Sequence, residues 1–413
     1  MKKILLFPLA LLLLGWLPAC KQNDNPGPEP EPVIIELSER ADEVIGNSNQ
    51  FGIELFTQTV AEEPGNMMLS PLSASIALTM ALNGSAGETY AQMYQMLGYP
   101  GDMTISQVNG AYQSLVGQLL SVDPKVKIAL ANALFYRLGF VVKPPYLQTM
   151  EDDFDAHVEG LDFSLPAALA TINGWASDNT FGKIPEVLQE ISPDAVMFLM
   201  NALYFKGDWT YQFDENETIE RPFHLDDGTD ISVPTMAGNV GAMRYVGANF
   251  NAIELPYGQT NFSMVVLVPN ETLEDFYPGF TPAVWDEVTS ALDAQAEWIK
   301  TDVLMPKFEF DYEKILNDQL KGMGMLDAFI PVTADFSGIT DEEIFISFVK
   351  QNTYVMVNEE GTEAAAVTTI GFENTSVGPG TPFFYIDKPF VFAIRERTTN
   401  TLLFIGSVTN PMD

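Results

Sequence analysis

Hydrophobic positions in the first third of the chain recur mainly at helical spacing. In the segment LSPLSASIALTMAL, Leu72, Ile76 and Met80 fall one every four residues, which places them on one face of a helix. Ser70 suits the N-cap of that helix, and Pro71 suits its first position because proline has no backbone N–H to leave unbonded. The pattern predicts a helix that begins at Pro71.

The later part of the chain is dominated by segments typical of strands, several of them rich in β-branched and aromatic residues. These segments are NAIELPYG, FSMVVLVPN, DVLMPKFEF, TYVMVN, KPFVFAIRER and LLFIGSV. Helices first and strands later favour an α+β fold with antiparallel sheets over alternating βαβ units. After about residue 38 we find no second linker, no low-complexity run and no repeat. We therefore expect a single domain over residues 39–413.

The N-terminus has the features of an export signal. Residues 1–19 contain two lysines, an apolar run too short for a comfortable membrane span, and then small residues. Cys20 is the only cysteine, so no intramolecular disulfide can form. The segment 17–20 (LPAC) resembles a bacterial lipobox, in which the cysteine is lipidated, although Pro18 departs from the usual small or aliphatic residue. An ordinary cleaved signal with an incidental cysteine is the alternative.

The residues after Cys20 are polar and rich in proline (KQNDNPGPEPEPV), which is typical of a semi-extended linker. We assign residues 20–38 to the lipidated cysteine and a tether. The expectation is an exported protein, lipid-anchored to a bacterial membrane and facing either the periplasm or the exterior, with no other membrane contact.

Composition argues against several classes of function. The net charge of −36 opposes binding to nucleic acid or to an anionic membrane surface, because both need clustered Lys or Arg. Only two histidines exist, His157 and His224, and neither has a Cys or His at metal-ligand spacing. The sequence lacks GxSxG, GxxxxGK[ST], GxGxxG and HExxH. We therefore expect no enzymatic activity, no metal and no cofactor.

Residues 361–387 form a long run between two predicted strands and contain neither Lys nor Arg. A loop of this length inside a compact domain is uncommon and usually functional. With a period of two, one face of its first half is free of charge and mostly small, namely Thr362, Ala364, Ala366, Thr368, Ile370 and Phe372. A strand with such a face is able to slide into a sheet over a packed core. From the pattern alone, an Ala-rich loop or helical turn with accidental alternation is an equal alternative.

Ordered segments along nearly the whole chain after residue 40 resemble serpins, proteinase inhibitors that trap their target by loop insertion. VNEEGTEAAA (357–366) is similar to the proximal hinge of that family, and further similar segments are NMMLSPLSASIAL (66–78), NALFYRLGF (132–140), INGWASDNTFGKI (172–184), NALYFKGDW (201–209), VLMPKFEFD (303–311), KPFVFAIRE (388–396) and FIGSVTNP (404–411). The resemblance implies three β-sheets, about nine helices and a reactive-centre loop that is exposed from Glu359 onward. It further implies that a protease cuts this loop, is held as an acyl-enzyme, and is distorted when the freed strand inserts into the largest sheet.

The resemblance also assigns roles to single residues. The hinge matches Glu359, Gly361, Thr362, Glu363, Ala364, Ala365 and Ala366, and Lys307 matches the lysine that pairs with the acidic hinge residue in many serpins. The polar cluster under the opening strands, often called the shutter, matches Ser70, Ser73, Asn201 and Gln351. Gln351 stands where the family commonly has histidine; it can donate and accept hydrogen bonds but cannot titrate. Trp209 matches the tryptophan near the site where insertion begins, called the breach.

The resemblance also implies the scissile bond: the family's usual spacing from the hinge puts it at Thr375–Ser376, and bonds through Val377–Gly378 stay open because the following stretch is about three residues longer than usual. Without Lys or Arg, trypsin-like targets are disfavoured, since their pocket needs a cationic side chain. Elastase-like, subtilisin-like or papain-like enzymes fit better, and Phe372 would serve a chymotrypsin-like one.

Three functions are compatible with the sequence. The first is a monomeric inhibitor of endopeptidases, and the second is a non-inhibitory binding or chaperone-like protein of the same fold. Small residues in the hinge favour the first. The third, a carbohydrate-binding or structural surface lipoprotein, leaves the hinge unexplained.

Overall fold

A computed structural model describes residues 31–63, 65–362 and 381–413. Its α-helices within these ranges are α1 (Ala41–Val60), α2 (Pro71–Leu82), α3 (Gly87–Met96), α4 (Ile105–Leu119), α5 (Pro144–Phe154), α6 (Pro166–Asn179), α7 (Leu273–Phe276), α8 (Pro282–Asp293) and α9 (Asn317–Gly322). The strands are β1 (Met67–Leu69), β2 (Val126–Arg137), β3 (His157–Leu161), β4 (Met197–Asp208), β5 (Ile219–His224), β6 (Asp230–Val246), β7 (Phe250–Tyr257), β8 (Phe262–Pro269), β9 (Ile299–Pro306), β10 (Phe308–Ile315), β11 (Lys350–Val357), β12 (Gly361–Thr362), β13 (Phe383–Tyr385), β14 (Phe390–Glu396) and β15 (Thr401–Val408).

The main sheet has six strands in the order β10-β11-β12-β4-β2-β3. Every neighbouring pair is antiparallel except β2 with β3. Because β12 is antiparallel to both β11 and β4, those two long strands run in the same direction. The short strand β12 therefore lies inside this sheet, between two parallel long strands.

The other strands form two sheets that share the long strand β6. One sheet has the order β1-β15-β14-β8-β7-β6, and the smaller one joins β5, β6, β9 and β13. β7, β8, β14 and β15 are almost wholly buried, as their mostly apolar sequences favour. The expected α+β fold with three sheets is confirmed.

The helix predicted at Pro71 is α2, and it is confirmed at its first residue. Ser70 is the N-cap, its side chain accepts from the Ser73 backbone N–H, and Pro71 is the first helical residue. Apart from Ala77, every residue of α2 is buried. A helix that is apolar on all sides belongs in the interior. The N-terminus of α2 accordingly lies between β11 and β15, with Ser70 bonded to both strands.

The segment DVLMPKFEF, which we expect to be one strand, is two strands in different sheets. β9 ends at Pro306 and β10 begins at Phe308, so the chain changes sheet at Lys307. Pro306 cannot donate a ladder hydrogen bond, which favours a break there. As a result, Lys307 lies at the junction of two sheets.

Residues 33–36 are fastened to the folded domain, although the sequence assigns them to the tether. The Asn261 side chain accepts from the Val33 N–H at 2.9 Å and donates to the Val33 carbonyl at 2.7 Å. The Gln118 side chain makes the same two-way contact with the Glu36 backbone, at 3.0 and 2.8 Å. Ile35 between them is only 5% exposed. The folded part therefore begins about six residues earlier than the expected position 39.

Within the described ranges, no helix combines the length and the apolar character that crossing a membrane requires.

Candidate functional site: the hinge strand and its surroundings

A tight reversal after β11 returns the chain into the main sheet. The Asn358 N–H donates to the Gly361 carbonyl at 3.0 Å, and the Asn358 side-chain oxygen accepts from the N–H groups of Glu360 and Gly361. Asparagine is well suited to this position because its side chain can bond its own backbone two residues ahead. The reversal directs β12 antiparallel to β11.

The strand β12 pairs on both sides. Thr362 lies opposite Val357 on β11 and opposite Gly207 on β4, while Gly361 lies opposite Asp208. Among the described residues, β4 and β11 form no ladder with each other. The order of the sheet thus places the hinge at the start of a strand position between β4 and β11.

The expectation that the loop is exposed from Glu359 onward is wrong for its first residues. Glu359 is 4% exposed and Thr362 is 3% exposed, and Gly361 is buried with them. The cause is the pairing of Gly361 and Thr362 inside the sheet. The remaining predicted hinge residues, Glu363, Ala364, Ala365 and Ala366, and the predicted scissile pair Thr375 and Ser376 lie outside the described residues, as does Cys20.

Gly361 occupies a position that no other residue fits. A Cβ atom placed on it would lie 2.1 Å from the Gly207 carbonyl oxygen and 2.7 Å from Asp208 Cα. Both obstacles are backbone atoms of β4, which cannot turn aside as a side chain can. The close approach of β12 to β4 therefore depends on glycine.

The Thr362 side chain points into the core, as the charge-free face predicts. Its hydroxyl lies 2.5 Å from the hydroxyl of Tyr257, which is fully buried on β7. Nothing in the sequence pattern singles out Tyr257, which follows Pro256 at the end of an ordinary strand. Only the packing of β7 beneath the main sheet brings the two hydroxyls together.

Glu359 binds Lys307, the pairing that the family resemblance implies. The Lys307 Nζ lies 2.8 Å from Glu359 Oε2, and the Thr218 hydroxyl donates to Oε1 at 2.6 Å. Burial on its own raises the pKa of Glu359, but the hydrogen bonds from Lys307 and Thr218, a backbone hydrogen bond and the charge of Lys307 together lower it by more. The pKa of Glu359 therefore lies below its ordinary value of 4.5.

Trp209 holds the reversal from the β4 side. Its indole N–H donates to the Asn358 carbonyl at 2.9 Å, and its backbone N–H donates to the Glu360 carbonyl at 2.7 Å. Its ring stacks on Tyr257 with 4.3 Å between centroids and 10° between planes. Trp209 thus contacts the turn that begins the hinge directly.

Three of the four predicted shutter residues are hydrogen-bonded together. Gln351 accepts from the Ser70 N–H at 2.9 Å and donates to the Ser70 carbonyl at 2.8 Å. The Ser70 hydroxyl donates to the Leu403 carbonyl at 2.8 Å, and the Ser73 N–H donates back to that hydroxyl at 3.3 Å. This cluster ties β11 of the main sheet to the core helix α2 and to β15.

Asn201 makes no hydrogen bond to that cluster. It faces Asn132 across the β2–β4 ladder, and its Nδ2 donates to Asn132 Oδ1 at 2.6 Å. The Asn132 amide donates in turn to the Phe154 carbonyl. The buried Oδ1 of Asn201 has no hydrogen-bond partner within the described part of the chain.

The two histidines lie apart from the hinge and are about half exposed. His157 pairs with Glu159 at 2.8 Å, and His224 pairs with Asp230 at 2.7 Å. The His224 backbone N–H also donates to the Asp387 carbonyl, just beyond β13. In the described ranges no three His, Cys, Asp or Glu side chains come together in a way that could hold a metal ion.

Comparison with known families agrees with this geometry. Residues 46–411 match the model of the serpin (serine protease inhibitor) family, and the chain belongs to that family. A serpin-like protein of Methanosarcina mazei is 31% identical, with 100% of this chain and 99% of the relative covered. The leukocyte elastase inhibitor of Xenopus laevis is 34% identical, with 84% and 93% covered.

Two solved serpin structures illustrate the breadth of the fold. Tengpin, a thermophilic serpin in its native state, superposes with a TM-score of 0.81 at 29% identity, covering 92% of this chain and 97% of tengpin. A thyroxine-binding globulin in complex with thyroxine gives a TM-score of 0.80 at 27% identity, with 89% and 99% covered. The fold of this family of protease inhibitors is thus shared by a protein that binds thyroxine.

Proposed function

We propose that this protein inhibits serine endopeptidases, and papain-like cysteine endopeptidases, by acting as a suicide substrate. The protease cleaves a bond within the loop that follows Thr362 and remains bound as an acyl-enzyme. It is distorted when the freed part of the loop inserts into the main sheet. The observation that carries the proposal is β12, which pairs with both β11 and β4 and points a small side chain into the core. A strand that continues β12 would run between two strands that lack a partner ladder with each other among the described residues.

We propose elastase-like, subtilisin-like or papain-like enzymes as targets, rather than trypsin-like ones. Residues 361–387 contain no cationic side chain for a trypsin-like pocket. The likeness to a leukocyte elastase inhibitor supports the same choice. We place the cut at Thr375–Ser376, within about three residues.

The test is incubation of the full chain with elastase, subtilisin, papain, chymotrypsin and trypsin, followed by denaturing electrophoresis. We expect elastase, subtilisin or papain to form a complex that survives SDS. Mass spectrometry of the released C-terminal fragment will identify the cut bond. Cleavage by all five enzymes without any stable complex would contradict the proposal. That result would favour a non-inhibitory binding role, for which the thyroxine-binding relative is the precedent.

We further propose that residues 1–19 direct export and that Cys20 carries a lipid anchor. The sequence features that support this are the apolar N-terminal run and the placement of the single cysteine directly after it. Expression in a bacterium fed a clickable fatty acid should label the wild type but not Cys20→Ser. Equal labelling of the two proteins would contradict the anchor and leave the inhibitory proposal unaffected.

A further inference from the structure

Tyr257 is held in place by contacts that do not involve the loop. On β7 it lies opposite Phe262 of β8, and it also forms a β-bridge with Trp209. Its ring stacks on Trp209 and packs edge-on against Phe205, at 5.2 Å between centroids. Gly207 leaves room for the ring, because a Cβ there would lie 3.0 Å from the Tyr257 ring atoms. The position of the hydroxyl is therefore fixed by the body of the protein.

The hydroxyl of Tyr257 has one hydrogen-bond partner among the described residues, and that partner belongs to the hinge. The oxygen lies 2.5 Å from Thr362 Oγ1, and neither side chain is more than 3% exposed. A buried phenol requires a hydrogen-bond partner. When the hinge is outside the sheet, the Tyr257 hydroxyl loses that partner, so the bond favours the state in which Thr362 has entered.

We propose that Tyr257 is a positioning residue that docks Thr362 in the main sheet before cleavage, so that insertion of the cleaved loop continues from that point; the inference rests on the inhibitory function proposed above. This docking commits the chain to run between β4 and β11 in a single register, because Thr362 is opposite Gly207 and Val357. Insertion competes with hydrolysis of the acyl-enzyme, which would release the protease. Because a docked Thr362 leaves only the rest of the loop to insert, docking raises the fraction of cleavage events that end in a trapped enzyme.

The test compares Tyr257→Phe, Thr362→Val and the double variant with the wild type. Tyr257→Phe keeps the aromatic stack and removes only the hydroxyl. Tyr146→Phe is the matched control, because Tyr146 is also a buried tyrosine (3% exposed) with one hydroxyl bond, to the Met80 carbonyl at 3.1 Å. The quantity measured is the number of inhibitor molecules consumed for each protease molecule trapped.

Each hinge variant should raise the part of that number above one, which counts inhibitor cleaved without trapping, by about 2- to 10-fold, the range expected for one lost hydrogen bond. The double variant should raise it no further than either single variant, and Tyr146→Phe should leave it unchanged. An unchanged number for Tyr257→Phe, or effects that multiply in the double variant, would overturn the proposal.

A second measurement separates this inference from the proposed function. Urea unfolding of the uncleaved wild type and the three hinge variants gives the coupling between the two side chains without any protease. If the wild type traps no enzyme, the proposed function fails, whereas a non-additive cycle still supports docking of Thr362 by Tyr257. An additive cycle overturns that docking whatever the inhibition assays show.

Discussion

Lys307 and Glu359 form an ion pair at the junction of two sheets, with 2.8 Å between Nζ and Oε2. The Glu359 side chain is 5% exposed, while that of Lys307 is 39% exposed. Lys307 is also fixed through its backbone N–H, which donates to the Pro234 carbonyl at 2.9 Å. The pair therefore connects the turn that starts the hinge to a rigid point between β9 and β10.

This ion pair predicts a loss of stability in acid. Because the pKa of Glu359 is lower in the folded state, its contribution is fully present above about pH 4.5 and is lost as the pH falls through the folded value. Glu359→Gln should remove this part of the pH dependence and cost about 1 kcal/mol at pH 7. Urea unfolding between pH 3 and 7 measures both effects. Glu343→Gln, at an exposed site, is the control. If stability falls in acid equally in Glu359→Gln and in the wild type, the loss does not come from Glu359.

Thr362→Arg should turn an inhibitor into a substrate. The Thr362 side chain is 3% exposed against Tyr257, and a buried unpaired cation resists insertion. Cleavage should continue while the SDS-stable complex disappears. Thr362→Ser is the control: it keeps the hydroxyl and should inhibit nearly as well as the wild type. Normal inhibition by Thr362→Arg would show that residue 362 need not be buried.

Gly361→Ala should displace β12 from the sheet, because the new Cβ would lie 2.1 Å from the Gly207 carbonyl oxygen. We expect a destabilisation of about 1–3 kcal/mol, typical of an overpacked buried site, together with fewer trapped protease molecules. Thermal unfolding and the trapping assay measure these. Gly46→Ala is the control, since Gly46 is an exposed position inside α1 with no atom near the added Cβ. It should be neutral or slightly stabilising.

His224 predicts a second pH dependence, of opposite sign. The hydrogen bond to Asp230 raises the pKa of His224 above its ordinary value of 6.5; the charges of Asp230 and Asp387 act in the same direction, while partial burial and Lys388 act against them. This contribution is fully present below about pH 6.5 and is lost as the pH rises through the folded value. It should stay below about 1 kcal/mol because the side chain is half exposed.

Unfolding of His224→Gln between pH 5 and 9 tests this expectation. The variant should lack the decline in stability that the wild type shows above pH 6.5. His157→Gln is the comparison, because His157 is equally exposed and pairs with Glu159 far from β13. A decline that persists in His224→Gln would assign it to another group.

The fold and part of the site could be predicted because their signals are local. The cap at Ser70, the strand segments and the charge-free face that includes Thr362 are all patterns within about ten residues. The partners of the hinge could not be predicted from pattern: Tyr257 and Thr218 lie more than 100 residues away in sequence. The attachment of residues 33–36 is equally hidden, because it depends on side-chain amides rather than on an apolar repeat. The burial of Glu359 could not be predicted either, because a charged residue is normally expected at the surface.

The two pH-dependent contacts lie at opposite ends of the segment 359–387, and Gln351 lies on β11, one of the two strands between which the segment would insert. Acid weakens the attachment at Glu359, alkali weakens the attachment near Asp387, and the amide of Gln351 responds to neither. Between about pH 4.5 and 6.5 both ends are held at full strength. These two contacts should therefore stabilise the uncleaved protein most in mildly acidic surroundings.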